Sequence, residues 1–108
     1  MANSVIKKQV DGNNILLATL NSAGDTTLSE SILNFALIGI QITDSDIYAP
    51  FMIIPSSILY NTTANANICI VAWRISTSAI SNSRIWYDNS TDKITVRAPA
   101  KVYGIMRK

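Results

Sequence analysis

The feature that most constrains the fold is a succession of short runs rich in isoleucine, valine and threonine, with turn-forming Asn, Asp, Ser and Gly between them. β-Branched residues favour pleated, half-buried surfaces, whereas Asn, Asp and Gly favour tight turns. Many short strands at this spacing are typical of a β-sandwich or jelly roll. We therefore predict one all-β domain over residues 1–108, an antiparallel, jelly-roll-like β-sandwich. The expected strands are residues 4–10, 15–20, 35–43, 50–54, 58–60, 67–76, 84–88, 93–98 and 101–106.

One segment departs from this strand pattern. Thr27-Leu28-Ser29-Glu30 fits a capping box, in which a Thr hydroxyl and a Glu carboxylate each accept a hydrogen bond from a backbone N–H of the other. The sequence therefore predicts a single helical turn near residues 28–34, at a corner between strands. In this arrangement Glu30, the only glutamate in the chain, has a structural rather than a catalytic role.

The predicted strands differ in how many apolar faces they carry. Residues 93–98 alternate between apolar and polar side chains, as expected for a strand with one buried face. Residues 35–42 and 67–76 are apolar on both faces, so either loops or further copies of the chain must cover the second face. We favour copies of the chain, and therefore predict a homo-oligomer. The side chains expected at its interface are Val71, Trp73 and Ile75. For Trp73, the core of its own chain is the alternative location.

Composition excludes several classes of chemistry. The 108 residues include no histidine, which removes Ser-His-Asp and Cys-His arrangements and the usual imidazole metal ligands. Asp44-x-Asp46 is a fragment of a calcium loop, but it lacks the next oxygen ligand and the glycine of that pattern. The single cysteine, Cys69, cannot form a disulfide within the chain. We therefore expect neither an enzyme nor a bound metal or cofactor.

Charge and hydropathy bear on the partners of the chain. Only 15% of the residues are charged, the net charge is +2, and the basic residues are scattered rather than arranged in a stripe. We therefore expect no nucleic-acid binding. No apolar run approaches the ~18 residues that a membrane span needs, and residues 1–8 lack the apolar region of a signal peptide. If the protein acts outside a cell, we expect it to arrive there by a route other than secretion.

A candidate ligand-binding surface lies in the Arg-Ile-Trp-Tyr-Asp segment at residues 84–88. Strand parity places Arg84, Trp86 and Asp88 on one face. If Ile85 points inward, Trp86 lies on a polar face, where its indole can stack on a sugar ring while neighbouring polar groups bind hydroxyls. Two alternatives stay open: Trp86 packs in a subunit interface, or it is itself the inward residue. The further candidates, in or beside loops, are Asn89, Tyr48 and Tyr60.

Several motifs occur in a recognisable order along the chain. Thr27–Phe35 has the form Thr-Leu-Ser-x-Ser-Ile-x-Asn-Phe, and the apolar strand 36–42 follows it. Residues 52–55 form an apolar strand that ends in proline, an Ile-Trp-Tyr strand comes later, and Lys101–Ile105 reads Lys-Val-Tyr-Gly-Ile. In this order the motifs resemble the C-terminal β-sandwich module of bacteriophage tail fibres and related tail or head fibres. The resemblance covers residues 14–106.

The resemblance implies a homotrimeric domain of a virion fibre that binds a host-surface component, either a glycan or a protein receptor. It also implies assembly in the cytoplasm of the bacterial host, action outside the cell and contacts with other virion proteins. Residues 1–13 are then expected to be an N-terminal arm or the remnant of a fibre shaft. The rival expectation is a purely structural virion protein, such as a capsid decoration, collar or fibre-trimerisation domain, that binds no receptor.

Overall fold

The computed structural model of the chain describes residues 14–44 and 50–108, and these residues form an all-β fold. Between the strands lie a 3-10 helix at Ile32–Asn34 and a short α-helix, α1, at Ser56–Tyr60. The predicted strand 4–10, the arm 1–13, Asp46 and the candidate Tyr48 lie outside the described residues. The strands are β1 (Ile15–Leu20), β2 (Gly24–Thr27), β3 (Phe35–Ile42), β4 (Phe51–Pro55), β5 (Cys69–Arg74), β6 (Ile80–Asp88), β7 (Lys93–Val96) and β8 (Ala100–Arg107).

The strands form two antiparallel four-stranded sheets, which confirms the predicted β-sandwich. One sheet has the strand order β1-β8-β3-β4, and the other has the order β2-β7-β6-β5. The pairs β1–β8 and β2–β7 are nested along the chain, in the manner of a jelly roll. The four strands between them in the chain instead form two hairpins of consecutive strands, β3–β4 and β5–β6.

One hydrophobic core lies between the two sheets. Its fully buried side chains come from both, including Ile38 of β3, Ile85 of β6 and Ile94 of β7. Burying an aliphatic side chain of this size stabilises a fold by about 1.5–3 kcal/mol. Cys69 is a free thiol at the edge of this core, and its burial raises the pKa of the thiol above the usual value.

The predicted helical turn is confirmed at Ile32–Asn34, within the expected range, but its cap differs from the one predicted. Thr27 is the last residue of β2, so the expected capping box is wrong. The 3-10 helix is capped by Ser31, whose hydroxyl accepts a hydrogen bond from the backbone N–H of Leu33 at 3.2 Å. Glu30 instead accepts from the side-chain amide of Asn34 at 2.9 Å and pairs with Arg107 of β8 at 2.8 Å.

Two further predicted boundaries are corrected. Residues 58–60 belong to α1 rather than to a strand, because tertiary contacts override their β-favouring composition. The side chain of Leu59 is fully buried, and the Ser56 hydroxyl donates a hydrogen bond to the backbone oxygen of Phe35 at 2.6 Å. β2 was not expected, since Gly24–Thr27 carries no apolar side chain and becomes a strand by pairing with β7.

Candidate functional site

The outward face of the β2-β7-β6-β5 sheet brings three of the predicted ligand-binding residues together. On β6, Ile85 and Tyr87 are buried, whereas Arg84 and Asp88 are exposed and Trp86 is half-buried. The predicted parity of this strand is therefore confirmed, and Trp86 is not the inward residue. We define the Trp86 face by its outward side chains, which are Arg84, Trp86 and Asp88 of β6, Thr95 of β7 and Arg97 just after β7.

The register between β6 and β7 determines which side chains surround the indole. Trp86 pairs with Thr95, and Thr95 in turn pairs with Asp25 of β2. The guanidinium carbon of Arg97 lies 5.4 Å from the centroid of the Trp86 ring, in a cation–π contact. Continuing the register one step beyond the last pair places Arg84 opposite Arg97.

A buried serine holds the backbone at this point. Ser83 is almost fully buried, and its hydroxyl accepts a hydrogen bond from the backbone N–H of Arg97 at 2.8 Å. The same hydroxyl donates to the backbone oxygen of Arg84 at 2.9 Å. Ser83 therefore connects the two arginine-bearing segments where β7 ends, and fixes the place from which each guanidinium extends.

Two clefts lie on either side of Trp86, and its side chain lines both. The loop cleft has a volume of about 220 Å³ and is lined by the segment after α1 together with the end of β6. The strand cleft has a volume of about 430 Å³ and is lined by residues of β2 and β7. The lining residues used below are Thr62, Ala64, Trp86, Asp88 and Asn89 for the loop cleft, and Asp25, Trp86, Thr95 and Arg97 for the strand cleft.

Hydrogen bonds attach the wall of the loop cleft to β6. The buried Thr62 hydroxyl accepts from the backbone N–H of Tyr87 at 2.8 Å and donates to the oxygen of Leu59 at 2.6 Å. The side-chain amide of Asn89 donates to the oxygen of Tyr60 at 3.2 Å. The Tyr60 ring packs at 6.1 Å from the Tyr87 ring, so Tyr60 supports the cleft and does not line it.

The acidic group of the face is partly committed to its own turn. Asp88 accepts hydrogen bonds from the backbone N–H and the hydroxyl of Ser90, at 3.0 and 2.6 Å. These bonds hold the pKa of Asp88 below its usual value, so the group is a carboxylate at neutral pH. A ligand hydroxyl therefore meets an anionic acceptor, the Asp88 carboxylate, in the loop cleft. Behind the face, the buried Tyr87 hydroxyl donates a hydrogen bond to Asp92, and burial is the main cause that raises the pKa of Tyr87.

Sequence reasoning missed the residues that other strands contribute. The alternation of residues 93–98 predicts that Thr95 and Arg97 lie on the outward face of their strand, but it does not by itself connect them to Trp86. The signal was available, because a hairpin through the turn at residues 89–92 pairs Trp86 with Thr95. Asp25 carried no such signal, since its strand was not predicted.

The predicted interface residues lie in different places. Val71 and Trp73 are only 8% and 5% exposed, because they face the core of their own chain, so little of their surface is available to a second copy. The Trp73 indole N–H is buried without a hydrogen-bond partner among the described residues. Ile75 is exposed. On the outward face of the other sheet, three exposed apolar side chains lie with the half-buried Tyr103. We call this the apolar face and define it as Leu16, Phe51, Ile53 and Tyr103.

Within residues 14–44 and 50–108, no three Cys, Asp or Glu side chains are grouped as metal ligands would be. In the same part of the chain, no helix has the length and apolar character needed to span a membrane. Comparisons of the chain with family models, with curated proteins and with solved structures give no match.

Proposed function

We propose that the chain is a non-enzymatic adhesion domain that binds a bacterial surface glycan at the Trp86 face. The observation that carries the proposal is a half-buried indole on the outward, polar face of a sheet, with a cleft on either side. A sugar ring can pack its C–H face on an aromatic ring while hydroxyl, amide and carboxylate groups bind its hydroxyls. The Trp86 indole supplies the aromatic ring, and Thr62, Asp88 and Asn89 supply the polar groups.

The character of the clefts favours a sugar over an apolar small molecule. Sites for apolar ligands are deep and mostly lined by hydrophobic side chains. The loop cleft is instead shallow and open, and polar residues including Thr62, Asp88 and Asn89 line it beside Trp86 and Tyr87. Such a surface matches a ligand that presents many hydroxyl groups and one apolar face.

Replacing Trp86 tests this function directly. We expect Trp86→Ala to weaken binding to a panel of bacterial surface oligosaccharides about tenfold or more, because the stacking surface is lost. Trp86→Phe, which keeps an aromatic ring, should retain part of the affinity. Ile80→Ala is the matched control, since Ile80 is an exposed side chain on the same face of the same strand. Calorimetry measures each affinity, and unchanged binding by Trp86→Ala would contradict the proposal.

We further propose that copies of the chain associate through the apolar face. Phe51 and Ile53 of edge strand β4 are 46% and 54% exposed, and the Phe51 ring lies 5.8 Å from the ring of Tyr103. Exposed apolar groups that adjoin one another mark an interaction surface. A homotrimer, as the resemblance to fibre modules implies, would present three Trp86 faces and increase weak binding through avidity.

The apolar face also favours a second candidate function, a structural virion protein that assembles and binds no receptor. The two functions differ in what Trp86→Ala does. Lost adsorption with an unchanged oligomer indicates receptor binding, whereas unchanged adsorption or a lost oligomer indicates assembly. A depolymerase is the enzymatic rival, and we expect no new reducing ends when the chain is incubated with host polysaccharide.

A further inference from the structure

We infer that the ligand of the Trp86 face is an acidic polysaccharide, whose anionic groups are bound by Arg84 and Arg97. The inference rests on the proposed function and specifies its ligand. It starts from the outward side chains of the sheet, where Arg84 of β6 and Arg97, just after β7, are both exposed near Trp86. A guanidinium group without an acidic partner keeps its charge-assisted hydrogen bonds available for an anion.

Neither arginine is neutralised by an acidic side chain within the described residues. The single ion pair found in residues 14–44 and 50–108 joins Arg107 to Glu30, and neither of these residues lines a cleft beside Trp86. Asp25 lines the strand cleft with Arg97 but forms no ion pair with it. The guanidinium groups of Arg84 and Arg97 therefore keep donors for a ligand.

The arginines serve different sides of the indole. Arg97 lines the strand cleft and lies over the Trp86 ring, which holds its planar guanidinium in place. Arg84 reaches the other side, where its guanidinium lies 3.5 Å from the backbone oxygen of Ala64 in the wall of the loop cleft. A saccharide chain that crosses Trp86 from one cleft to the other would meet a guanidinium on each side.

Guanidinium groups select anions by geometry as well as by charge. Their fixed fork of N–H donors matches the two oxygens of a carboxylate, and also binds a phosphate. A sugar acid combines such a group with the C–H face that packs on an indole. Carboxylated sugars therefore fit the face best, and phosphate-linked sugar polymers share the same anionic chemistry.

The test compares oligosaccharides of four to six sugars from uronate-containing capsular polysaccharides with their carboxyl-reduced, neutral forms. We expect the acidic forms to bind at least tenfold more tightly at low salt, and the preference to shrink as salt screens the charges. Arg84→Gln and Arg97→Gln should each remove most of the preference. Arg74→Gln is the matched control, because Arg74 is an exposed cation of the same sheet that pairs with Ile80, at the opposite end of β6 from Trp86.

The outcomes separate this inference from the function on which it rests. Equal, Trp86-dependent binding of acidic and reduced forms would keep the glycan-binding function and overturn the acidic ligand. A preference that survives both arginine substitutions would overturn the role of the arginines. A preference for glycerol-phosphate oligomers over uronates would overturn the assignment of a carboxylated ligand and identify a phosphate-linked polymer as the ligand. Absence of binding to every saccharide would contradict the proposed function itself.

Discussion

At the scale of single residues, two glycines decide how closely aromatic rings approach the sheet. A Cβ built on Gly104 would lie 2.6 Å from three ring carbons of Phe35, which is fully buried under the guanidinium of Arg107. A Cβ on Gly39 would lie 2.5 Å from the tip of the Phe51 ring, which is half-exposed. Gly104 therefore allows the Phe35 ring to pack directly against the backbone of β8.

The two glycines should respond differently to the same substitution. We expect Gly104→Ala to destabilise the fold by about 1–3 kcal/mol, because the buried Phe35 ring has no room to move. Gly39→Ala should cost less than about 1 kcal/mol, because Phe51 can swing into solvent and the other close atom, Cδ1 of Ile105 at 2.9 Å, is the movable end of its side chain. Urea unfolding of both variants measures the difference. Equal losses would show that the exposed ring is held as rigidly as the buried one.

At the scale of elements, hydrogen bonds of single side chains connect segments that are distant in the chain. Thr62 joins the end of α1 to β6, since its buried hydroxyl bonds both Leu59 and Tyr87. Glu30 joins the segment before the 3-10 helix to β8 through two bonds with Arg107, at 2.8 and 3.0 Å. These contacts maintain the corner and the cleft wall where the backbone leaves the sheets.

Replacing Thr62 tests the first connection. Thr62→Val keeps the shape but leaves the backbone N–H of Tyr87 buried and unpaired, so we expect a loss of about 1–3 kcal/mol of stability. Thr62→Ser keeps the hydroxyl and should retain most of the stability. Thermal unfolding monitored by circular dichroism compares the two. Equal destabilisation by Thr62→Ser and Thr62→Val would show that the hydrogen bonds of the hydroxyl contribute little to stability.

The second connection should make stability depend on pH. Hydrogen bonds from Arg107 and then Asn34 lower the pKa of Glu30 from 4.5 to about 2. Because the folded state favours the ionised form, this contribution is fully present above pH 4.5 and is lost as the pH falls toward 2. The stability difference between the parent and Glu30→Gln should therefore shrink across this range. A constant difference would contradict the pair, and Arg107→Gln should reproduce the effect of Glu30→Gln.

Prediction from sequence succeeded where one face of an element is buried and failed where long-range contacts decide. β7 alternates clearly, so its outward residues were placed correctly. For β6, the alternation grouped Arg84, Trp86 and Asp88 on one face but left open whether that face is the outward one. The helix α1 was read as a strand because Ile58 and its neighbours favour β structure, while the hydrogen bond from Ser56 to Phe35 that selects a helix spans 21 residues. The candidate site shows the same division. Trp86 was identified from the sequence of β6 alone, whereas the position of Arg97 beside it depends on how β6 pairs with β7.

At the scale of the whole molecule, the two outer faces of the sandwich differ in how their apolar side chains are grouped. The face with Trp86 carries charged and hydroxyl side chains together with the exposed Ile70 and Ile80, whereas the apolar face brings exposed apolar groups into contact around Tyr103. A sandwich with a single core needs only its inner faces to be apolar. This grouping supports the proposal that copies of the chain associate through the apolar face and leave the Trp86 face free for a ligand.

Two exposed isoleucines on opposite sheets test this division. Ile53 of β4 and Ile70 of β5 are 54% and 65% exposed, and each lies on an edge strand. We expect Ile53→Lys to yield monomers, because a charge in the apolar face opposes association, and Ile70→Lys to leave the oligomer intact. Light scattering over a dilution series measures both masses. A parent chain that is monomeric throughout would exclude self-association in solution.

The placement of the two tryptophans gives the protein a pair of separate optical reporters. Trp86 is half-buried on the polar face, whereas Trp73 is enclosed in the core. Indole emission shifts toward the red in water, so the two side chains emit at different wavelengths in the folded chain. Quenching by a soluble iodide or acrylamide should act first on Trp86, and a saccharide bound there should protect it. In Trp86→Phe the remaining emission reports unfolding alone, so occupancy of the face and integrity of the core can be followed independently in one cuvette.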